Sequence, residues 1–327
     1  MTDPSLMLAA LASAAVPGLD PVSVRGMRPT AGHQFDLAFV EDSQQRRWVV
    51  RAPVTAAAGA QLEQTMGLLT LLHRRVPFGV PQAKGFAPVP GRGRAAVYPL
   101  LPGRPVSFAD LPAGPGLAAE LGRAIAALHN LDRAVYEEAG VPAYEAEEYR
   151  ERRLGELDRA ASTGHVPAGL LARWEAQLED VATWRFAPVP THGDLTGEQV
   201  LVVFEDEQDA ATGRVRAITG WEQAKVADPA DDLAALAVQC SPEAFDAVLE
   251  GYAHTRVERL DAHLEVRARL AGELRLVAAL STAASLQDQA AVDRVVHALR
   301  ALDAAARGPA TAPAPRSGAV AADLDRD

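Results

Sequence analysis

The chain has 327 residues, 48% of them apolar and one of them cysteine, with 32 Lys and Arg against 43 Asp and Glu for a formal net charge of −11. That length holds two domains or one two-lobed domain with a substantial core. The composition excludes a disulfide scaffold, a cysteine-ligated zinc site and a disordered chain, and the acidic balance argues against nucleic acid as a general partner.

The sign of the charge changes along the chain. Residues 1–102 hold 10 basic and 6 acidic side chains, residues 103–306 hold 19 and 34, and residues 307–327 hold 3 of each. A first third at +4 joined to a stretch at −15 suggests two lobes with different partners.

Asp3 as N-cap and Pro4 at N1 open a helix that Pro17-Gly18 closes. The apolar run from Leu6 to Val16 imitates a leader, with Ala12-Ser13-Ala14 as its cleavage site, but no Lys or Arg precedes it and a packed helix is expected. The uncharged stretch 4–19 is shorter than the roughly 20 residues that cross a bilayer. The chain reads as soluble and cytoplasmic, without a membrane partner.

Residues 35–40 and 46–52 are strand-like around the polar 41–45 and predict a hairpin. Residues 58–75 carry helical spacing at Leu62, Met66, Leu69 and Leu72, and 95–101 read as a buried strand ended by Pro102-Gly103. From Leu117 the character changes: Leu117, Leu121, Ile125 and Leu128 stripe one helix face. Further helices are predicted over 145–162, 168–183, 231–238, 242–253, 257–284 and 290–306. Among them stands one hairpin, 200–204 with 214–221, joined by the acidic turn 205–213. The tail 307–327, rich in Ala, Pro and Gly, lacks periodicity and is expected to be disordered.

The residues that suggest chemistry precede that hairpin: Thr191-His192-Gly193-Asp194-Leu195-Thr196-Gly197-Glu198-Gln199-Val200-Leu201. A carboxylate on a tight loop running into a strand is a frequent placement for a catalytic base. In phosphoryl transfer such an Asp accepts the proton of the attacking hydroxyl. A group five residues later and a carboxylate at the end of the following hairpin hold magnesium on the nucleotide phosphates. The hairpin here ends at Ile218-Thr219-Gly220-Trp221-Glu222.

On these residues the chain resembles the aminoglycoside phosphotransferase-like kinases, and within them the macrolide 2′-phosphotransferase branch. The family pattern HGDLxxxN, a hairpin, IDW(E/T) and DPxxDLA is met by HGDLTGEQVL, ITGWEQAKV and ADPADDLAAL in that order and spacing. The resemblance covers roughly residues 20–300. It implies an α+β, bilobal protein-kinase-like fold, with a small mixed N-lobe over 1–102 and a large, mostly helical C-lobe over 103–306. It also implies ATP or GTP between the lobes, Mg2+ on the phosphates, Asp194 as base, and the hinge-like Tyr98-Pro-Leu-Leu-Pro-Gly103 bringing Tyr98 and Leu100 to the nucleotide. The acceptor it implies is the hydroxyl of a small amine-bearing molecule, macrolide- or aminoglycoside-like, and the acidic C-lobe fits a cationic acceptor.

Several positions depart from the pattern. Gln199 stands where the family has Asn or His; its amide oxygen still suits a hard cation. Gly220 stands at the second metal-binding Asp and offers no side-chain ligand. Glu222, two residues on, is either a replacement ligand for magnesium, sharing a strand face with residue 220, or an acid in its ordinary structural place. Asp228, Asp231 and Asp232 are expected to cap a helix and anchor the loop rather than bind metal.

The only lysines are Lys84 and Lys225, so Arg51 is the cation expected at the third strand to reach the phosphates, with Glu63 (or, in a shifted register, Thr65) on the following helix as its partner position. No glycine-rich GxGxxG loop is present, Gly32-His33 being the nearest substitute. The histidines show no HExxH spacing, no GxSxG elbow occurs, and Cys240 reads as a core thiol. Two readings follow: a small-molecule kinase, or a metal-site-impaired pseudokinase that binds a nucleotide or another ligand without transferring phosphate.

Overall fold

The computed structural model describes residues 4–27, 32–206 and 209–307; the predicted disordered tail lies outside the described residues beyond Arg307. The first lobe is a five-stranded antiparallel sheet, β1 (Pro21–Gly26), β2 (Phe35–Asp42), β3 (Arg47–Pro53), β4 (Gly85–Val89) and β5 (Gly93–Pro99), in the order β1-β2-β3-β5-β4. Helix α1 (Pro4–Ala15) covers one face and α2 (Ala56–Leu72) the other. Strand periodicity divides β3 between them: Trp48, Val50 and Ala52 join Leu8 and Ala12 of α1 in one core, whereas Val49 and Arg51 face the cleft beneath the sheet. Thr55 starts α2 by accepting the N–H of Ala58 at 3.1 Å.

The predicted hairpin forms, with Asp42 closing its turn. Its carboxylate accepts the Trp48 indole N–H at 2.9 Å and the Arg46 backbone N–H at 2.9 Å. Burial works against the charge, but these hydrogen bonds outweigh it and hold the carboxyl at about 2. Strands β1 and β4 escaped the sequence pattern for a shared reason. Both are sheet edges and both contain proline, Pro21 and Pro88, which demotes a strand by pattern but is tolerated where an N–H is not required.

The second lobe is mostly helical. Helices α3 (Leu117–His129), α4 (Ala134–Glu138), α5 (Ala146–Ala161), α6 (Ala168–Glu179), α7 (Ala230–Gln239), α8 (Pro242–Thr255), α9 (Leu264–Ser285) and α10 (Gln289–Arg307) surround two small sheets. In one, β6 (Arg104–Pro105), β8 (Val200–Val203) and β9 (Arg214–Ile218) pair in the order β6-β8-β9; in the other, β7 (Val189–Thr191) pairs with β10 (Lys225–Ala227). The predicted helix from 257 begins only at Leu264. Asp261 accepts the His263 N–H and Asn130 accepts the Val257 N–H, so local polar groups hold 257–263 as a loop. Among the described residues no helix is long and apolar enough to cross a membrane.

Helices α3 and α8 approach closely through two glycines. A Cβ on Gly122 would collide with the carbonyl of Val248, and one on Gly251 with the carbonyl of Ala119. Gly122→Ala and Gly251→Ala are therefore expected to destabilise by ~1–3 kcal/mol, read as a lower urea midpoint at unchanged slope. Gly67→Ala, on open helix surface, should leave stability unchanged or raise it by up to ~1 kcal/mol.

Candidate active site

The loop after β7 is held by Asp232 in the first turn of α7. Its two oxygens accept the backbone N–H groups of His192 (2.8 Å) and Gly193 (2.7 Å), and one of them also meets His129 Nε2 at 3.0 Å. The other nitrogen of His129 meets the Tyr252 hydroxyl at 2.8 Å. Burial opposes the charge on Asp232, yet the His129 contact and the loop N–H lower its carboxyl below the usual range. Gly193 takes φ +85°, and a Cβ there would strike the Gln223 carbonyl, so glycine is required at this bend. His192 reaches across to the Thr219 carbonyl at 2.8 Å with its ring 4.8 Å from that of Trp221, tying the loop to the end of β9. Asp228 accepts the Ala230 N–H at 2.9 Å, so Asp228 and Asp232 do the capping and anchoring expected of them.

From this clamped loop Asp194 projects into a cavity of about 650 Å³, where it pairs with Arg275 of α9. Lys225 of β10 donates to the Gly193 carbonyl at 3.2 Å and pairs with Asp231 at 3.0 Å. Arg153 and the Tyr149 hydroxyl also bind Asp231. Although Asp231 is buried, Lys225 and Arg153 hold its carboxyl at about 2. The four carboxylates lining this cavity, Glu156, Asp194, Glu222 and Asp231, face four cations, Arg152, Arg153, Lys225 and Arg275. The acidic excess of the lobe is therefore not carried by the cavity wall.

A second cavity, about 770 Å³, lies between the lobes and meets the first at Trp221 and Glu222. Leu37, Val49, Leu100 and Leu201 line its apolar part, and Arg51, Tyr98 and Gln199 its polar part. Leu100 fixes the crossing segment by donating its N–H to Arg47 at 2.9 Å. Burial raises the Tyr98 phenol above its usual range.

Arg51 reaches the cleft as the strand pattern requires, with its guanidinium 4.2 Å over the Phe35 ring, and its ion-pair partner is Glu222. Glu63 is not brought to it: that carboxylate lies on the outer face of α2, about half exposed, on Arg94 at 3.1 Å. Thr65, the alternative register, is buried and lines the Asp194 cavity. Glu222 does not extend toward Gln199 as a strand neighbour of residue 220 would. Gly220 is left-handed (φ +81°) and Trp221–Gln223 is a 3-10 turn, so the alternation of an extended strand does not apply there.

The residues expected to hold Mg2+ do not converge as a ligand set in this structure. Gln199 turns its amide oxygen to the Thr196 N–H at 2.8 Å in a capping box, Gly220 has no side chain, Glu222 is held by Arg51, and the other carboxylate lining the cleft, Glu198, is exposed. Among the described residues no group of three or more His, Cys, Asp or Glu could hold a metal ion. Arg275 was not signalled by sequence, since it meets Asp194 across 81 positions from the middle of a helix with no motif. Lys225, away from β3, carries no motif that marks it as part of the site.

Residues 26–270 match the phosphotransferase enzyme family, and the chain belongs to that family. Its fold is the protein-kinase-like one of these phosphotransferases. The chain is similar to the apoenzyme structure of macrolide 2′-phosphotransferase MphH from Brachybacterium faecium, at 25% identity over 86% of this chain and 94% of that one, with a TM-score of 0.72. The GDP and kanamycin complex of APH(2″)-IIIa shares the fold at 20% identity, 93% and 99% coverage and a TM-score of 0.77. YcbJ of Bacillus subtilis strain 168, described as uncharacterized, is 25% identical over 227 residues, 66% of this chain and 70% of that protein.

Asp231 sets a test of the electrostatics. Its carboxyl falls from 3.8 to about 2 on folding, so its stabilisation is present above about pH 4 and lost as pH drops toward 2. Asp231→Asn should lower stability at pH 7 by about 2 kcal/mol or more, and flatten the acid limb of the stability profile between pH 4 and 2, measured by denaturant titration at each pH.

Proposed function

We propose that the chain is a phosphotransferase that binds ATP or GTP in the inter-lobe cleft and transfers the γ-phosphoryl group to a hydroxyl of a small molecule seated in the Asp194 cavity. The observation that carries this reading is Asp194 itself: a partly exposed carboxylate on a loop whose backbone Asp232 fixes, beside a cavity of small-molecule size that opens onto the cleft at Trp221 and Glu222. In the reaction, the acceptor oxygen attacks the γ-phosphorus, the bond to the β,γ-bridging oxygen breaks and the nucleoside diphosphate leaves. Asp194 takes the hydroxyl proton, once Arg275 yields its carboxylate. Arg51 supplies positive charge toward the phosphates, and the Tyr98–Leu100 segment carries the base side of the nucleotide.

A macrolide- or aminoglycoside-like acceptor is supported by the names of the similar structures, macrolide 2′-phosphotransferase and a kanamycin complex. The charge of the lobe does not add to that support, because the cavity wall is balanced. The spent oxygen of Gln199 and the bare Gly220 favour a second reading, a family member that binds nucleotide or another ligand without transfer.

The two readings separate in one assay. Purified protein is incubated with ATP or GTP and a panel of macrolides and aminoglycosides, and products are read by mass. Transfer should leave a phosphorylated acceptor, and Asp194→Ala should slow it by ~10²–10⁴-fold while nucleotide affinity holds. Nucleotide binding without product from any acceptor would support the second reading.

A further inference from the structure

The Gln199 amide at the inter-lobe cleft is turned the wrong way round for a cation. The Thr196 N–H requires the carbonyl end of the Gln199 amide, which fixes its orientation. The NH2 end therefore lies against Gly220, and a Cβ on residue 220 would sit 2.5 Å from that nitrogen, 2.8 Å from Cδ and 2.9 Å from Cγ. The two residues are complementary: the side chain of one fills the space that the other leaves open. An NH2 group donates hydrogen bonds and has no lone pair for a hard cation, but it suits a phosphate oxygen.

The charged side chains lining the cleft balance, Arg47 and Arg51 against Glu198 and Glu222, so among the described residues no excess of carboxylates stands ready for a cation. Glu222, two residues after Gly220, is held by Arg51; both are mostly buried, at 14% and 15% exposed, and the other carboxylate of the cleft, Glu198, is exposed. The carbonyl of Glu222 accepts Gln61 Nε2 at 3.0 Å, so its backbone is anchored to α2 as well. Arg51 pairs with Glu222 and stacks on Phe35, and its Nε, shut off from solvent, has no hydrogen-bond partner among the described residues, so the guanidinium at the cleft wall keeps one unmatched donor. Guanidinium binds phosphate directly and needs no bridging ion.

We infer that this cleft takes its nucleotide without a divalent cation, with Arg51 and the Gln199 NH2 group contacting the phosphates that a metal would otherwise bridge. The inference rests on the nucleotide lying in the inter-lobe cleft, as in the proposed function. It holds whether or not phosphate is then transferred. Gln199 and Gly220 form one unit in it, so replacing Gly220 alone by Asp would press a new Cβ into the Gln199 amide and recreate no metal site.

The test is calorimetric titration of the full chain with ATP and with a non-hydrolysable GTP analogue, in EDTA and in excess Mg2+. Affinity in EDTA is expected to equal or exceed that in Mg2+, and Arg51→Met to weaken binding at least about tenfold in both buffers. The double variant Gln199→Asn, Gly220→Asp restores two oxygen donors and clears the longer side chain; it should acquire Mg2+-tightened binding of about fivefold or more. Tightening of the parent by about fivefold or more in Mg2+ overturns the inference and leaves the nucleotide site standing. Absence of binding in both buffers overturns the inference together with the reading it rests on. Unfolding midpoints without ligand accompany each variant, so lost binding is separated from lost folding.

Discussion

One carboxylate organises the second lobe. Asp232 accepts two successive backbone N–H groups, those of His192 and Gly193, and a ring nitrogen of His129, and through His129 it is linked to Tyr252. Those contacts join α3, α7 and α8 to the turn that presents Asp194. A buried carboxylate is costly unless its oxygens are satisfied, and here the satisfying groups are themselves the backbone of the loop. The cost of burying Asp232 and the fixed direction of Asp194 are one physical fact. The left-handed bend at Gly193 completes it, passing so close to the Gln223 carbonyl that a Cβ would not fit.

Around this clamp, charges are neutralised locally rather than left as a field. Asp231 collects Lys225, Arg153 and the Tyr149 hydroxyl, Asp228 collects Arg267, and Asp194 collects Arg275. A lobe carrying a large acidic excess therefore presents a cavity with balanced walls. The same economy governs the cleft, where the cation of β3 and the acid after Gly220 form an ion pair. On its protein-kinase-like fold the chain combines an Asp194 loop fixed by Asp232 with a cleft in which the Gln199 side chain fills the space left open at Gly220.

Much of the architecture was legible because it rests on local periodicity and on contiguous motifs. The β2–β3 hairpin, α2, α3 and the helical second lobe follow from alternation and three-to-four spacing, and the Asp194 loop from its place just ahead of a hairpin. The edge strands were not legible, since Pro21 and Pro88 erase the strand pattern where sheet edges tolerate them. The loop at 257–263 was hidden because its helix-breaking contacts, from Asn130 and Asp261, are made in space rather than in composition.

The sequence by itself determined the residue types available: an Asp before a hairpin, a Gln five residues on, a glycine where a carboxylate was expected, an Arg on an otherwise lysine-free third strand. Those follow from order along the chain. Only the tertiary structure decided their partners. Glu222 meets Arg51 rather than Gln199 because residue 220 is left-handed and the following turn is helical, which redirects the side chain toward the first lobe. Glu63 is turned outward by the helical phase of α2, and Arg275 reaches Asp194 from a distant helix. Side-chain direction and long-range pairing depend on backbone dihedrals and on packing between elements, and neither is written in local spacing.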